Sequence, residues 1–303
     1  MASITILFIV GPTASGKSAL AIDIAKQLNG EIICADSRTV YMGLDVSTAK
    51  PSTAEQDGVK HWGLDLVSPD QRFSAADFKA YAQGKIAEIQ GRGKLPIIVG
   101  GTGLYIDGLL FDYQFGPAAN EQLRAELEPL NIEQLQQRII DAGIDMPQNV
   151  KNKRYLIRAI EQGGVNTQKS EPMPGALVVG LNPPKELLQK RIEVRANAMQ
   201  QNGALQEAEW LFKTYGYEAP AASAPFFKAY APHFAHGHNV LQGLSLLQGQ
   251  TLQQQQQSLQ ACLAKDITLN RQLAKRQMAW FKRNPHINWF NDSLAAQQFV
   301  LNK

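Results

Sequence analysis

Three features of the sequence predict an α/β fold, a parallel sheet flanked by helices with a small helical insertion. Short apolar runs recur at Ile4–Val10, Glu31–Ala35, Leu95–Val99 and Ala176–Leu181. Helical patterns lie between them, for example Ala75–Gln90 and Pro184–Gln201. One interval, Asp112 to Gln148, has helical periodicity and no strand-like run. Parallel strands need long crossovers, so strands alternating with helices point to a parallel sheet covered on both faces.

The first run, Ile4–Val10, is continuous and rich in β-branched residues, the mark of a strand buried on both faces. Gly11-Pro12-Thr13-Ala14-Ser15-Gly16-Lys17-Ser18 follows it and fits G-x-x-x-x-G-K-[ST]. Ala19–Leu28 then reads as an amphipathic helix. Strand, glycine-rich loop and helix start form the context that this phosphate-cradling motif needs. Its glycines let the backbone turn tightly with N–H groups inward, and the helix start adds a positive dipole end. Lys17 supplies a mobile charge, and the Ser18 hydroxyl is a candidate Mg²⁺ ligand. The arrangement is P-loop NTPase-like and predicts a di- or triphosphate ligand without saying what is done with it. A chance glycine-rich turn is the competing reading.

Asp36-Ser37 follows the second run, at the carboxyl end of a strand, where open α/β sheets place their ligands. A carboxylate there suits a general base or a water-mediated Mg²⁺ ligand; a helix-capping Asp is the bland alternative. Thr48-Ala49-Lys50-Pro51 is a polar turn with a basic residue. Ser74 is a plausible N-cap for the helix that contains Asp77. Gly100-Gly101-Thr102-Gly103 follows the Leu95–Val99 strand, so Thr102 offers a hydroxyl at the same sheet edge. Within Asp112–Gln148, Leu123, Leu127, Leu135 and Ile139 keep helical spacing. The insertion is placed at 113–149, bounded by Gly116-Pro117 and Met146-Pro147, with 1–112 and 150–303 as the core. Val165–Gly175 reads as loop. Ala219–Gln257 is Ala/Pro-rich and ends in five glutamines, Gln253 to Gln257, which suggests solvated helix or linker.

Lys265–Arg283 holds six Lys or Arg against one acid, Asp266. There Arg271, Lys275 and Arg276 lie near Trp280 and Phe281. Cations pair with phosphates and aromatic rings stack bases, although a solvated basic helix face gives the same pattern. Composition sets the bounds. The chain has 303 residues, 44% hydrophobic and 19% charged, with net charge +3. These are values of a soluble globular protein, and the charge alone argues for no nucleic-acid partner. No run of 18 apolar residues predicts a membrane span. No basic segment precedes the first strand, so no signal peptide is expected. Cys34 and Cys262 match no metal spacing and are expected to be reduced thiols in a cytoplasmic protein.

The order of these segments closely resembles the tRNA dimethylallyltransferases. The segments are GPTASGKS, ADS with Tyr41 shortly after, TAKP, His61 with Asp65, SAADF, PIIVGGTGLY, RAIE and RQLAKRQMAWF. The resemblance spans about residues 5 to 290 and is weakest from Ala219 to Gln260. It implies transfer of a dimethylallyl group from dimethylallyl diphosphate to the exocyclic amine of the adenosine 3′-adjacent to the anticodon. The tRNAs concerned read codons beginning with U, and diphosphate is released. The resemblance makes Gly11–Ser18 and Arg195, which follows Arg191, the diphosphate site, with Mg²⁺ at Ser18. Asp36, Thr102 and Lys17 become the catalytic residues. It implies tRNA contacts from Asp36, Ser37, Arg38, Thr39, Thr102, Arg124, Arg154, Arg158, Lys275, Arg276, Gln277, Trp280 and Lys282. The expected partner is the anticodon stem-loop, and the expected state is a monomer.

Departures from the family pattern fall at Tyr155, where an arginine is usual, and at Asn270, where threonine is usual. Pro225-Phe226-Phe227-Lys228-Ala229 also stands in place of an Ile-Gly-Tyr-Lys-Glu loop. With two cysteines in the sequence, the zinc-finger extension of the eukaryotic members is not expected. An adenylate isopentenyltransferase acting on free AMP, ADP or ATP shares the loop and the aspartate but needs neither the insertion nor Arg271–Phe281. A small-molecule kinase using ATP would leave the later motifs unexplained. A tRNA-binding protein without catalysis would not need Lys17, Asp36 and Thr102.

Overall fold

The computed structural model describes residues 4–116, 120–147, 149–163, 171–235 and 252–303. The chain opens with β1 (Ile6–Val10), α1 (Lys17–Gln27), β2 (Gly30–Cys34), the single turn α2 (Thr53–Gln56) and β3 (His61–Trp62). Next come α3 (Ala75–Gly91), β4 (Leu95–Gly100) and α4 (Gly103–Leu110). Three helices without strands follow: α5 (Glu121–Leu127), α6 (Ile132–Asp141) and α7 (Lys153–Gln162). The chain returns through β5 (Ala176–Leu181), α8 (Lys185–Gln201), α9 (Ala204–Tyr215) and α10 (Pro225–Ala235). It finishes with the long α11 (Leu252–Phe281), β6 (Ile287–Phe290) and α12 (Ser293–Leu301).

All six strands are parallel, in the order β3-β2-β4-β1-β5-β6. The predicted strands are therefore present, with two short ones, β3 and β6, added at the edges. β1 lies between β4 and β5, with Leu7 beside Ile97 and Leu177. Side chains alternate between the faces. Leu7, Ile9, Ile32, Ile97, Val99 and Val179 pack with Leu20, Ile24 and, from α12, Ala296 and Val300. Phe8, Ile33 and Ile98 take the opposite alternation and are fully buried. On that side α3 and α4 meet β2 and β4. Ser74 caps α3 as its position suggests, inside a capping box with Asp77.

A second core lies under α9, α10 and α11, where Phe226, Phe227, Tyr230 and Phe234 join Val40, Leu44, Leu211 and Phe212. The stretch from Ala219 is thus well packed where it is described, and Gln253–Gln257 falls in the first turns of α11. Residues 236–251 and 164–170, which that reading and the Val165–Gly175 loop include, lie outside the described residues.

Phe111–Pro172 forms a compact unit of its own, apart from Met1–Leu110 with Met173–Lys303. It extends further than the expected 113–149. The reason is α7: its Leu156 and Ile157 pack with Leu127, Leu135 and Ile139 into one small core. Met146-Pro147 suggested an end to the insertion, but the apolar stripe continues on the next helix. Within this unit Glu161 has a fully buried side chain held by a two-bond fork from Arg124 at 3.0 Å and by Arg158 at 3.3 Å. Among the described residues no helix is long and apolar enough to cross a membrane.

Candidate active site

The site stands at the carboxyl edge of the sheet, where the loops after β1, β2 and β4 converge. Gly16 caps α1 at φ 96°, a left-handed conformation that glycine adopts without steric cost. Lys17 bends back so that its Nζ donates to the Pro12 carbonyl at 3.1 Å. Two arginines from α8 brace the loop. Arg191 donates to the Ser15 carbonyl at 3.0 Å, and Arg195 to the Thr13 hydroxyl at 2.5 Å. Gln277 of α11 accepts the Thr13 N–H at 2.8 Å.

After β2, Asp36 accepts the Arg38 N–H at 2.8 Å through Oδ1. The bond closes a turn and no helix starts there, so Asp36 is not a helix cap, and its carboxylate lines the cavity. Arg38 reaches over to donate to Ser223 at 2.6 Å. After β4, the Thr102 hydroxyl accepts the Ser37 N–H at 3.0 Å, which ties the loops after β2 and β4 together. This needs close backbone approach: a Cβ on Gly100 would sit 2.0 Å from the Ala35 carbonyl oxygen.

One cavity of about 140 Å³ collects Thr13, Lys17, Ser18, Asp36, Arg38, Thr39 and Arg195. Its apolar wall includes Ile32, Val99, Met199, Phe226 and Leu273. Burial lowers the Lys17 ammonium to about 8, against the pull of Asp36 and with a push from Arg195. Burial also lowers Arg195, which Asp266 and Asp36 oppose; a guanidinium stays charged even so. The Cys34 thiol, on the same wall, is pushed up to about 12 by burial and then by Asp36, so it is a neutral lining group. Ser18 and Asp36 are hard oxygen donors in one cavity, a fit for a Mg²⁺ held mainly by water and phosphate oxygens. Among the described residues no group of three or more His, Cys, Asp or Glu forms a metal cage.

The predicted tRNA-contacting residues sort into several environments. Lys275 and Arg276 are exposed on α11, and Lys282 is exposed just after its end. Gln277 and Trp280 are not: Gln277 holds the phosphate loop, and Trp280 donates to Asp107 at 2.8 Å while covering Gly103. In the helical unit Arg154 is exposed, while Arg124 and Arg158 pair with Glu161. Lys50 of the TAKP turn has a buried side chain, pinned between Asp45 and Asp65 at 2.6 Å each. The sequence reading missed Glu207, whose carboxylate accepts the N–H groups of Asp45, Val46 and Ser47 and so holds that turn in place. No local pattern marks it, because its partners lie about 160 residues away in sequence.

The family described as IPP transferase matches residues 39–284. The chain belongs to this family. A tRNA dimethylallyltransferase from Pediococcus pentosaceus is 38% identical over 301 residues, 94% of this chain and 90% of that protein. One from Bacillus cereus (strain B4264) is 34% identical over 299 residues, 93% and 88% of the two chains. The fold resembles the tRNA isopentenylpyrophosphate transferase of Bacillus halodurans, with TM-score 0.70 and 28% identity over 99% of this chain and 96% of that one. It also resembles a eukaryotic dimethylallyltransferase acting on tRNA, with TM-score 0.76 over 98% and 80% of the chains, at 23% identity.

Proposed function

We propose that this member of the family transfers a dimethylallyl group from dimethylallyl diphosphate to the exocyclic amine of the adenosine 3′-adjacent to the anticodon, in tRNAs reading codons that begin with U. The observation that carries this reading is the shared cavity. It joins cations for a diphosphate, a carboxylate for an amine proton and an apolar wall. An engineered protein cavity of about 150 Å³ accepts a benzene ring, so about 140 Å³ leaves room for a five-carbon group.

Breaking the allylic C–O bond leaves negative charge on the diphosphate. The loop N–H groups, Lys17 and Arg195 bind that charge where it develops. The new C–N bond forms from an amine that is a poor nucleophile, and Asp36 takes the proton the nitrogen gives up. Thr102, by holding Ser37, fixes the strand end that presents Asp36. Ser18 would hold a Mg²⁺ that Asp36 reaches only through water, and the ion would further neutralise the leaving group when bound. The target base leaves a single-stranded anticodon loop, where unstacking costs a few kcal/mol. Lys275, Arg276 and Lys282 contact the RNA phosphates. On this reading the protein works as a monomer in the cytoplasm.

The test supplies labelled dimethylallyl diphosphate and Mg²⁺ with either unmodified tRNA or free AMP. Label is expected in the tRNA at the adenosine 3′ of the anticodon. Label in AMP and none in tRNA would instead establish an adenylate isopentenyltransferase.

A further inference from the structure

The single acid in the basic segment Lys265–Arg283 is Asp266, and its side chain does not face solvent. Asp266 is fully buried. Its Oδ1 accepts from Asn270 at 2.8 Å, and its Oδ2 has no partner. It lines the same cavity as Lys17, Asp36 and Arg195. A buried carboxylate oxygen without a partner is costly, so such a group on a residue that lines a ligand cavity calls for a ligand-linked explanation.

The surroundings narrow that explanation. From α8, Arg195 faces Asp266 and favours its ionised form. From α10, Tyr230 feels the same carboxylate, and its own hydroxyl is buried without a partner. On α11, Cys262 and Asn270 are neutral neighbours. Across the cavity lie Lys17 and Asp36. Burial outweighs Arg195 and raises Asp266 to about 6. Near neutral pH the empty site thus holds an ionised carboxylate that an arriving dianion would repel. A like charge nearby drives a carboxyl group towards its neutral form.

We propose that Asp266 is a positioning residue of the diphosphate site. In the empty site it balances Arg195; when the diphosphate arrives it takes a proton from solvent, and its free oxygen turns from acceptor to donor. Arg195 is then released to the anion without a competing charge. This inference rests on reading the cavity as a diphosphate site.

Titration of the protein with inorganic diphosphate and Mg²⁺ at pH 7, in two buffers of different ionisation enthalpy, counts the protons taken up. Wild type is expected to take up close to one proton more per bound diphosphate than Asp266→Asn, because the ligand's own protonation cancels in the difference. The affinity of Asp266→Asn should also fall less steeply between pH 6 and pH 8. Equal uptake and parallel pH profiles would overturn the role of Asp266 and leave the diphosphate site standing. Absence of diphosphate binding in both proteins would overturn both. A second measurement needs only wild type: the Asp266 carboxyl ¹³C signal at pH 7 should move from the ionised to the protonated position on adding diphosphate, and an unmoved signal contradicts the proposal.

Discussion

The phosphate loop and α11 both carry residues that the sequence singles out, but they encode function differently. In Gly11–Ser18 the backbone is the instrument, and spacing alone decides where its N–H groups and Lys17 point. On α11 the side chains are the instrument, and tertiary packing decides which of them meet solvent. Lys275 and Arg276 are exposed, whereas Gln277 is turned against Thr13 and Trp280 against Gly103. A helix face described as basic and aromatic is therefore two faces, one for RNA and one that holds the catalytic loops.

The largest effect expected on this division belongs to the site itself. Asp36→Ala should lower turnover by about two to four orders of magnitude, the range for losing a general base, while tRNA affinity changes little. Near-full turnover in that variant would remove Asp36 from its assigned role.

Gln277 separates the two faces of α11 directly. Gln277→Ala leaves the part-buried Thr13 N–H without its acceptor, a loss of about 0.5–1.5 kcal/mol. Diphosphate affinity and thermal stability should both fall, and the salt dependence of tRNA binding should stay as in wild type. A reduced salt slope with unchanged diphosphate affinity would place Gln277 with the RNA contacts instead.

The loop makes a prediction in pH. The Lys17 ammonium is lowered to about 8 in the empty site, so it is charged below that value and neutral above it. A bound anion favours the charged form. Lys17 should therefore add a weakening of up to about tenfold per unit above pH 8, beyond the decline that Asp266 contributes between pH 6 and pH 8. Calorimetric titration from pH 6 to 9 checks this, and Lys17→Arg should flatten the upper limb. An equally steep limb in that variant would locate the titration elsewhere.

The smallest effect is expected on the exposed face. Arg276→Ala should weaken binding of an anticodon stem-loop across sequences and reduce the salt slope by about one, with diphosphate affinity untouched. A slope equal to that of wild type would make Arg276 an ordinary solvated cation.

The same contrast explains what was legible in the sequence. The strands at Ile6–Val10, Gly30–Cys34, Leu95–Gly100 and Ala176–Leu181 announce themselves as continuous apolar runs, since both of their faces are buried. The edge strands His61–Trp62 and Ile287–Phe290 have too few residues to show a pattern. Lys17, Asp36, Ser18 and Arg195 come together because motif spacing fixes them to strand ends and one helix. Glu207 and the inward turn of Gln277 were not legible, because each depends on a partner more than 150 residues away. The pairing of Arg124 and Arg158 with Glu161 was hidden for a related reason: a cation at helical spacing looks the same whether it meets RNA or a buried carboxylate.

The central claim is that Gly11–Ser18 holds a departing diphosphate rather than a phosphoryl group in transfer. Counting products tests it most directly, with the protein, dimethylallyl diphosphate, Mg²⁺ and unmodified tRNA in one reaction. One inorganic diphosphate released per prenylated adenosine, unchanged by adding ATP, is the predicted result. Consumption of ATP with release of ADP, and no prenyl group on the tRNA, would contradict it.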